Sequence, residues 1–265
     1  MINSNNKMIV KVPSFISRIF SVWLRHYQVY TKTIISNGFP PFLEPLILLA
    51  GLGLGLGKFV GAIEGVDYVK FLATGIAVTS AMYTAAFECT FGTFLRLDFD
   101  NIYDGMLSAS ITVKDLLLGE IFFAGTKGLF FSSAVLIVLS FFGLIPSFFA
   151  FLAPLVGFLT GLMFGALSLF VTSFVTTINH FNFYFTGFLT PMFFFSGIIF
   201  PLNSLPKFAA QIAVFFPLTH SVNLIRALCL NKDNPNLFFD LTYIIIFILI
   251  FSFLAVWRLG KRIIN

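Results

Sequence analysis

Few residues of this chain are equipped for chemistry, so their placement carries the argument. Charged side chains make up 10% of its 265 residues. Five of them, Asp98, Asp100, Asp104, Lys114 and Asp115, crowd into DFDNIYDGMLSASITVKDLLLG, residues 98–119. Asn101 to Leu107 fits a short helix with Asp100 as N-cap, its oxygen accepting from the first free N–H groups. Ile102, Met106 and Leu107 share one face. A short helix with an apolar face between two long apolar runs suits docking to a partner; an ordinary solvated loop is the alternative. Glu88 lies deep in an apolar run at FECTFG, where a carboxylate is costly and must face a protein interior or an aqueous path. Its plainer role is a hydrogen bond that fixes helix packing. Lys127, in the next run, can pair with Glu120 or Glu88 or reach the interface. His26, His180 and His220 stand isolated and read as interfacial or packing residues. Cys89 and Cys229 lack metal-ligand spacing and read as small buried hydrophobes. Gly57-Lys58 is followed by Phe59, so the Walker spacing fails, as does GxGxxG. No catalytic residue, metal cluster or nucleotide loop is expected.

The elements that must hold these residues are membrane helices. The chain is 58% hydrophobic and 18% aromatic, with mean hydropathy +0.97. A soluble domain is about 45–50% apolar and about a quarter charged. The surplus falls in runs near the ~20 residues that cross ~30 Å of hydrocarbon. Lipid offers no partner to unpaired backbone groups, so an all-α integral membrane protein follows. The alternating segments of about ten residues that make a barrel are absent. The first fourteen residues lack the apolar core and cleavage site of a signal peptide, so the first span is expected to be its own insertion signal.

One transmembrane domain over 1–265 is expected. Within the N-terminal segment 1–38, Lys11, Arg18, Arg25 and Lys32 recur every seven residues, a basic stripe drifting ~20° per step. Ile16, Phe20, Trp23, Tyr27, Tyr30 and Ile34 alternate spacings of four and three on the other side. That predicts an amphipathic helix over 13–36 lying in the headgroup region. Spans one to five occupy 39–200, at about 39–60, 70–95, 120–142, 148–177 and 185–200, with Asn37-Gly38 and Pro40-Pro41 marking the turn into the first. Gly51, Gly53, Gly55 and Gly57 interleave two GxxxG patterns that allow close helix approach, and Gly157, Gly161 and Gly165 repeat at four. Residues 201–238 are too apolar for a loop yet broken by Pro217 and His220, which predicts an outer re-entrant hairpin of half-helices. Span six, 239–257, leads into a tail ending the segment 239–265. Six spans place both termini on one side. That side holds ten basic residues: Lys7, Lys11, Arg18, Arg25, Lys32, Arg96, Lys114, Arg258, Lys261 and Arg262. The other holds Lys58, Lys70, Lys207, Arg226 and Lys232, so both termini and 98–119 are expected to be cytoplasmic. The 39 phenylalanines read as lipid-facing residues and fillers between helices.

Taken together, GLGLG in span one, FLATGIAVTSAMYTAAFECTFGTFLRL in span two and YDGMLSASITVKDLLLGE after it resemble the ABC-2-type export permeases. TPMFFFSGIIFPLNSLP and FPLTHSVNLIRAL extend the likeness over about residues 40–230, within the subgroup that includes the nodulation lipo-oligosaccharide export permease. The resemblance implies a six-helix subunit of the bacterial cytoplasmic membrane that pairs with a second copy above two separate ATPase subunits. ATP and magnesium would be bound by those subunits, with no cofactor on this chain. Asp100, Asn101, Ile102, Tyr103, Asp104, Gly105, Met106 and Leu107 would form the coupling helix, and the helix with Arg18, Trp23, Arg25 and Lys32 the interface helix. The cargo class implied is an amphiphile: a lipid-linked glycan, lipo-oligosaccharide, other lipid or drug, with no nucleic-acid partner. The chain departs at Ser108-Ala109-Ser110, where relatives often carry a proline turn.

Two other classes compete. An ion-coupled carrier would centre on Glu88. A membrane enzyme or scaffold would need a cluster of polar groups at one membrane depth, and the sequence offers none by inspection.

Overall fold

The computed structural model describes residues 13–63, 65–145, 147–231 and 234–264; for 36, 37, 40–42, 44 and 45 it describes the backbone alone. Lys7, Lys11 and Lys232 of the charge count therefore lie outside the described residues. Among the described residues the fold is all-α apart from one pair of two-residue strands.

Helix α1, Phe15–Lys32, starts at Ser14, whose side chain accepts from the Ser17 N–H at 3.3 Å. It is separated from α2, Ile34–Val60, by Thr33 alone. The turn expected at Asn37-Gly38 and Pro40-Pro41 is therefore absent. Helices held among neighbours in lipid tolerate internal prolines that a solvated helix would not, and the apolar part of α2 is Leu46–Val60. A hairpin of β1, Ala62–Ile63, and β2, Val66–Asp67, joins α2 to α3, Tyr68–Phe87. Helix α3 continues through two π turns, Glu88–Gly92 and Leu95–Phe99. With 83% of its most apolar stretch buried it is the axis of the bundle, whereas the last helix has 11% buried.

Helix α4, Ile102–Leu107, is the short helix predicted after it. Its cap is Asn101, in the left-handed region at φ 50° and making no side-chain cap bond, not Asp100. Helix α5, Val113–Phe141, begins seven residues before Glu120, because Thr112 and Asp115 close a reciprocal capping box. The charges that exclude a residue from hydrocarbon do not exclude it from the helix. A 3₁₀ turn, Phe148–Leu152, leads into α6, Ala153–Thr172, five residues short of the expected end.

Span five is not one regular helix. It is α7, Phe181–Tyr184, a π turn, Phe185–Leu189, and α8, Thr190–Phe195. Its rings interleave with those of α3: Phe185 stacks on Phe87 at 4.4 Å, and Phe91 meets Phe181 at 5.0 Å. Residues 207–230 form α9, Lys207–Ala213, and α10, Pro217–Leu230, bent 84° apart. Pro217 suits the first turn of α10, where its missing N–H has no partner to lose. Helix α11, Leu237–Ile264, closes the chain.

His220 is not isolated: its Nδ1 lies 2.6 Å from Asp240 Oδ1 and its Nε2 2.9 Å from the Val214 carbonyl, pinning the bent pair to α11. Arg226 donates to the carbonyls of Gly197 and Ile198, holding the break after α8. At the opposite end of the bundle, Arg18 meets Asp115 at 2.7 Å and Arg262 meets Asp98 at 2.7 Å. The N-terminal helix, the acidic segment and the end of α11 thus share one face.

The glycines divide sharply. A Cβ on Gly161 would lie 2.6 Å from the Ala124 carbonyl oxygen and 2.9 Å from Gly125 Cα, and one on Gly128 2.5 Å from the Gly157 carbonyl oxygen. Helices α5 and α6 therefore touch backbone to backbone at 157 and 161, with the Ala124 methyl packed against 165, on the face their spacing predicted. The span-one glycines do not do this within the chain. Gly53 and Gly57 face Val69 at ordinary to tight contact, while Gly51 and Gly55 have nothing within 4 Å.

Candidate functional site

The π turns of α3 decide where its charges point. Glu88 and Arg96 come onto one face with Gly92 between them, and a Cβ on Gly92 would sit 3.2 Å from Glu88 Oε1 and 3.3 Å from an Arg96 amine. The bare glycine leaves room for a direct ion pair, Arg96 to Glu88 Oε1 at 2.7 Å. Arg96 Nε also donates to Glu120 Oε1 at 3.0 Å, and Lys127 Nζ reaches Glu88 Oε2 at 2.9 Å. Of the partners open to Lys127 in the sequence, Glu88 is the one it takes. Its ammonium also stands 4.4 Å over the Tyr30 ring. Thr93 donates to Glu120 Oε2 at 2.8 Å, and the Tyr103 hydroxyl donates to Glu120 Oε1. Two carboxylates and two cations balance, which is the condition under which charges survive burial.

This network joins four helices. Glu88, Thr93 and Arg96 belong to α3, Tyr103 to α4, Glu120 and Lys127 to α5, and His26 of α1 approaches Glu120 Oε1 at 3.5 Å. The isolated reading of His26 is corrected with that of His220, as is the expectation of no polar cluster at one depth. In the sequence Arg96 counts only as a cytoplasmic cation, Glu120 only as a possible partner of Lys127 and Tyr103 only as part of the coupling helix, because their partners in the network lie 8 to 27 residues away. The available signal was the helical step 88–92–96 with glycine in its middle.

Helix α4 sits differently from its expected pose. Tyr103 and Met106 are buried and Ile102 and Leu107 partly so, whereas Asp100, Asp104 and Gly105 are exposed. Its apolar face packs on its own bundle, and the acidic face points outward. Burial, with Glu120 beside it, pushes the Tyr103 hydroxyl well above the usual phenol range, so it remains a donor.

Helix α1 also turns over relative to expectation. Arg18, Val22, His26 and Tyr30 face Asp115, Gly119, Phe123 and Lys127 at a constant offset along α5. The two helices run parallel and close. Arg18 serves Asp115 instead of a headgroup, Arg25 is half-buried, and the outward side carries Ile16, Phe20 and Tyr27. Trp23 donates to Thr126 Oγ1 at 3.0 Å, and Lys32 is exposed.

Burial, followed by the Arg96 charge, pushes the His26 imidazole down to about 4, so its approach to Glu120 is that of a neutral ring. An unfolded histidine titrates near 6.5. Between those values the unfolded chain binds a proton that the folded chain refuses, so stability falls as pH falls through the window, by about 3 kcal/mol in full. Thermal unfolding in detergent is expected to lose more stability from pH 7 to pH 4.5 in the wild type than in His26→Gln. Parallel pH curves for the two proteins would contradict the buried neutral imidazole.

The comparisons with known proteins bear on this arrangement. The family described as ABC-2 type transporter matches residues 17–230, a segment that contains every member of the network. The chain belongs to that family. Nodulation protein J of Sinorhizobium fredii (strain NBRC 101917 / NGR234) is 36% identical over 247 residues, covering 92% of this chain and 94% of that protein. Nodulation protein J of Rhizobium leguminosarum bv. viciae is 35% identical over 243 residues, with 92% and 94% covered. The inner membrane transport permease YadH of Escherichia coli (strain K12) is 22% identical over 242 residues, with 91% and 94% covered. The chain is thus a multi-pass membrane subunit of an ABC exporter type, a transport component. The resemblance to the nodulation subgroup of these permeases stands on these relatives.

Proposed function

We propose that this chain is the permease half of an ATP-driven exporter of amphiphiles, two copies of it operating above two ATPase subunits. The observation that carries the reading is the position of α4. Its exposed acidic face, Asp100 and Asp104, is free for a soluble partner, while its buried face holds Tyr103 against Glu120. Force applied to α4 would reach α1, α3 and α5 through one connected set of bonds. Among the described residues, α3, α5, α6 and α11 are each long and apolar enough to cross a membrane; in this reading α2 and α7 with α8 would complete six crossings, the bent α9–α10 pair would enter the outer leaflet, and both termini would lie in the cytoplasm. The N-terminal helix, the acidic segment and the basic end of α11 meeting at one end support that orientation.

The second copy has room. Gly51 and Gly55 are open, and an apolar groove of about 730 Å³ runs between α2 and α8, lined by Leu48, Leu52, Phe193 and Phe194. For cargo, the resemblance to the lipo-oligosaccharide export permease subgroup favours a lipo-oligosaccharide or another lipid-linked glycan. An ion-coupled carrier is less well supported, since the two Glu88 carboxylate oxygens are held by Arg96 and Lys127.

The test is charge reversal at the docking face. Asp100→Lys with Asp104→Lys is expected to fold normally, because both side chains are exposed, and to lose co-purification of the ATPase and ATP-dependent export at least tenfold. Retained ATPase binding by a folded double variant would sink the docking assignment.

A further inference from the structure

A groove of about 650 Å³ lies away from both the charge network and the α2–α8 face. It is walled by the end of α3, the chain after α6 and the end of α11, with Phe99, Phe174, Thr176, Thr177, Arg258 and Arg262 among its lining. Arg262 is fully engaged: it donates to the carbonyls of Thr172 and Val175 and pairs with Asp98, the carboxylate that lines this groove. Arg258 is different. It is exposed, makes no ion pair among the described residues, and its guanidinium lies 4.8 Å over the Phe174 ring. With Asp98 neutralised by Arg262, the groove keeps one uncompensated positive charge.

Its depth is marked by the next residue. Trp257 is half-exposed, with Lys261 Nζ 4.2 Å over its ring, and an exposed Trp–Lys pair at the end of an apolar helix belongs at the headgroup level. Phe99 and Phe174, on two walls of the groove, are exposed. A cation at headgroup depth, flanked by hydroxyls and opening onto exposed aromatic rings, is complementary to a phosphate that carries acyl chains. Basic pockets between membrane helices take anionic lipid headgroups on this basis.

We propose that the groove beside Arg258 is a binding site for an anionic phospholipid, the phosphate seated on the Arg258 guanidinium and an acyl chain against Phe174 and Phe99. The site needs only the membrane reading, not the docking or cargo readings above.

Native mass spectrometry of the full chain, exchanged from detergent with phosphatidylglycerol or phosphatidylcholine, tests it. The wild type is expected to retain one phosphatidylglycerol in preference to phosphatidylcholine, and Arg258→Ala to lower that retention about fivefold, the change expected for one basic residue at an anionic surface. Lys261→Ala, which removes an equal charge outside the groove, is expected to change it less than twofold. Unchanged thermal unfolding of Arg258→Ala in phosphatidylcholine would show that the fold survives. Equal losses for Arg258→Ala and Lys261→Ala would mean surface charge alone and overturn the site, as would retention that ignores the headgroup.

Discussion

Arg96→Met is expected to leave most of the protein unfolded or unrecoverable in mild detergent. The substitution removes the one cation shared by two carboxylates, Glu88 and Glu120, that Arg96 contacts at 2.7 and 3.0 Å. Breaking a buried charge pair from one side costs about 3–5 kcal/mol, because the remaining charge stays desolvated and alone. A membrane bundle at ordinary stability does not absorb that loss readily. Lys127 stays on Glu88, so the unpaired carboxylate should be Glu120, held by Thr93 and Tyr103 alone.

That assignment can be separated from a general loss of packing. Adding Glu120→Gln to Arg96→Met removes the stranded charge and is expected to restore a large share of stability, giving a coupling energy of at least about 1 kcal/mol in a double-mutant cycle. Adding Glu88→Gln instead should restore less, since Glu88 keeps its lysine. Reversible unfolding in a denaturing detergent series measures each arm. Equal rescue by the two glutamine changes would refute the unequal sharing. The rescued protein also asks a functional question: if the network carries force from α4, it should fold, bind the ATPase and still fail to couple ATP hydrolysis to export.

How much of this was legible in the sequence differs by element, and for physical reasons. The long apolar runs gave the membrane class and approximate helices, since crossing hydrocarbon demands length and apolarity that no other context demands. The 157–161–165 spacing gave a real contact face, because glycine at every fourth position on a helix lines up whatever the neighbour is. Helix α4 was visible as an element but not in its pose. Sequence cannot tell which side of a short amphipathic helix its own bundle covers, and Tyr103 reads as neutral until Glu120 is beside it. Helices α2 and α5 start five and seven residues ahead of the spans the sequence marks, because charge and proline do not by themselves stop a helix. They stop a hydrocarbon crossing, which is a different boundary. The network escaped for the same reason as the His220–Asp240 pair: its members are far apart in sequence and meet through π turns and a parallel helix contact that no local periodicity encodes.

Gly161→Leu is expected to destroy the α5–α6 contact, while the same change at Gly51 leaves the folded monomer intact. The two glycines sit in similar sequence patterns, so a rule based on spacing alone treats them alike. Their surroundings separate them. At Gly161 even a Cβ would meet the Ala124 carbonyl oxygen at 2.6 Å and Gly125 Cα at 2.9 Å. Backbone cannot rotate away as a side chain does, so the helices must part along their length. Overpacking a core usually costs about 1–3 kcal/mol, and a clash with backbone on both sides belongs at or above the upper end. Parting α5 from α6 also moves Glu120 and Lys127 away from α3, so the loss of packing carries the charge network with it. Gly161→Ala should already show most of the effect, as a large drop in folded yield and melting temperature by size-exclusion and thermal-shift measurement. At Gly51 nothing lies within 4 Å, and leucine there adds apolar surface to a face already open. If that face meets a second copy, Gly51→Leu should lower dimer content without lowering monomer stability. A stable, dimeric Gly161→Leu protein would be incompatible with backbone contact between the two helices.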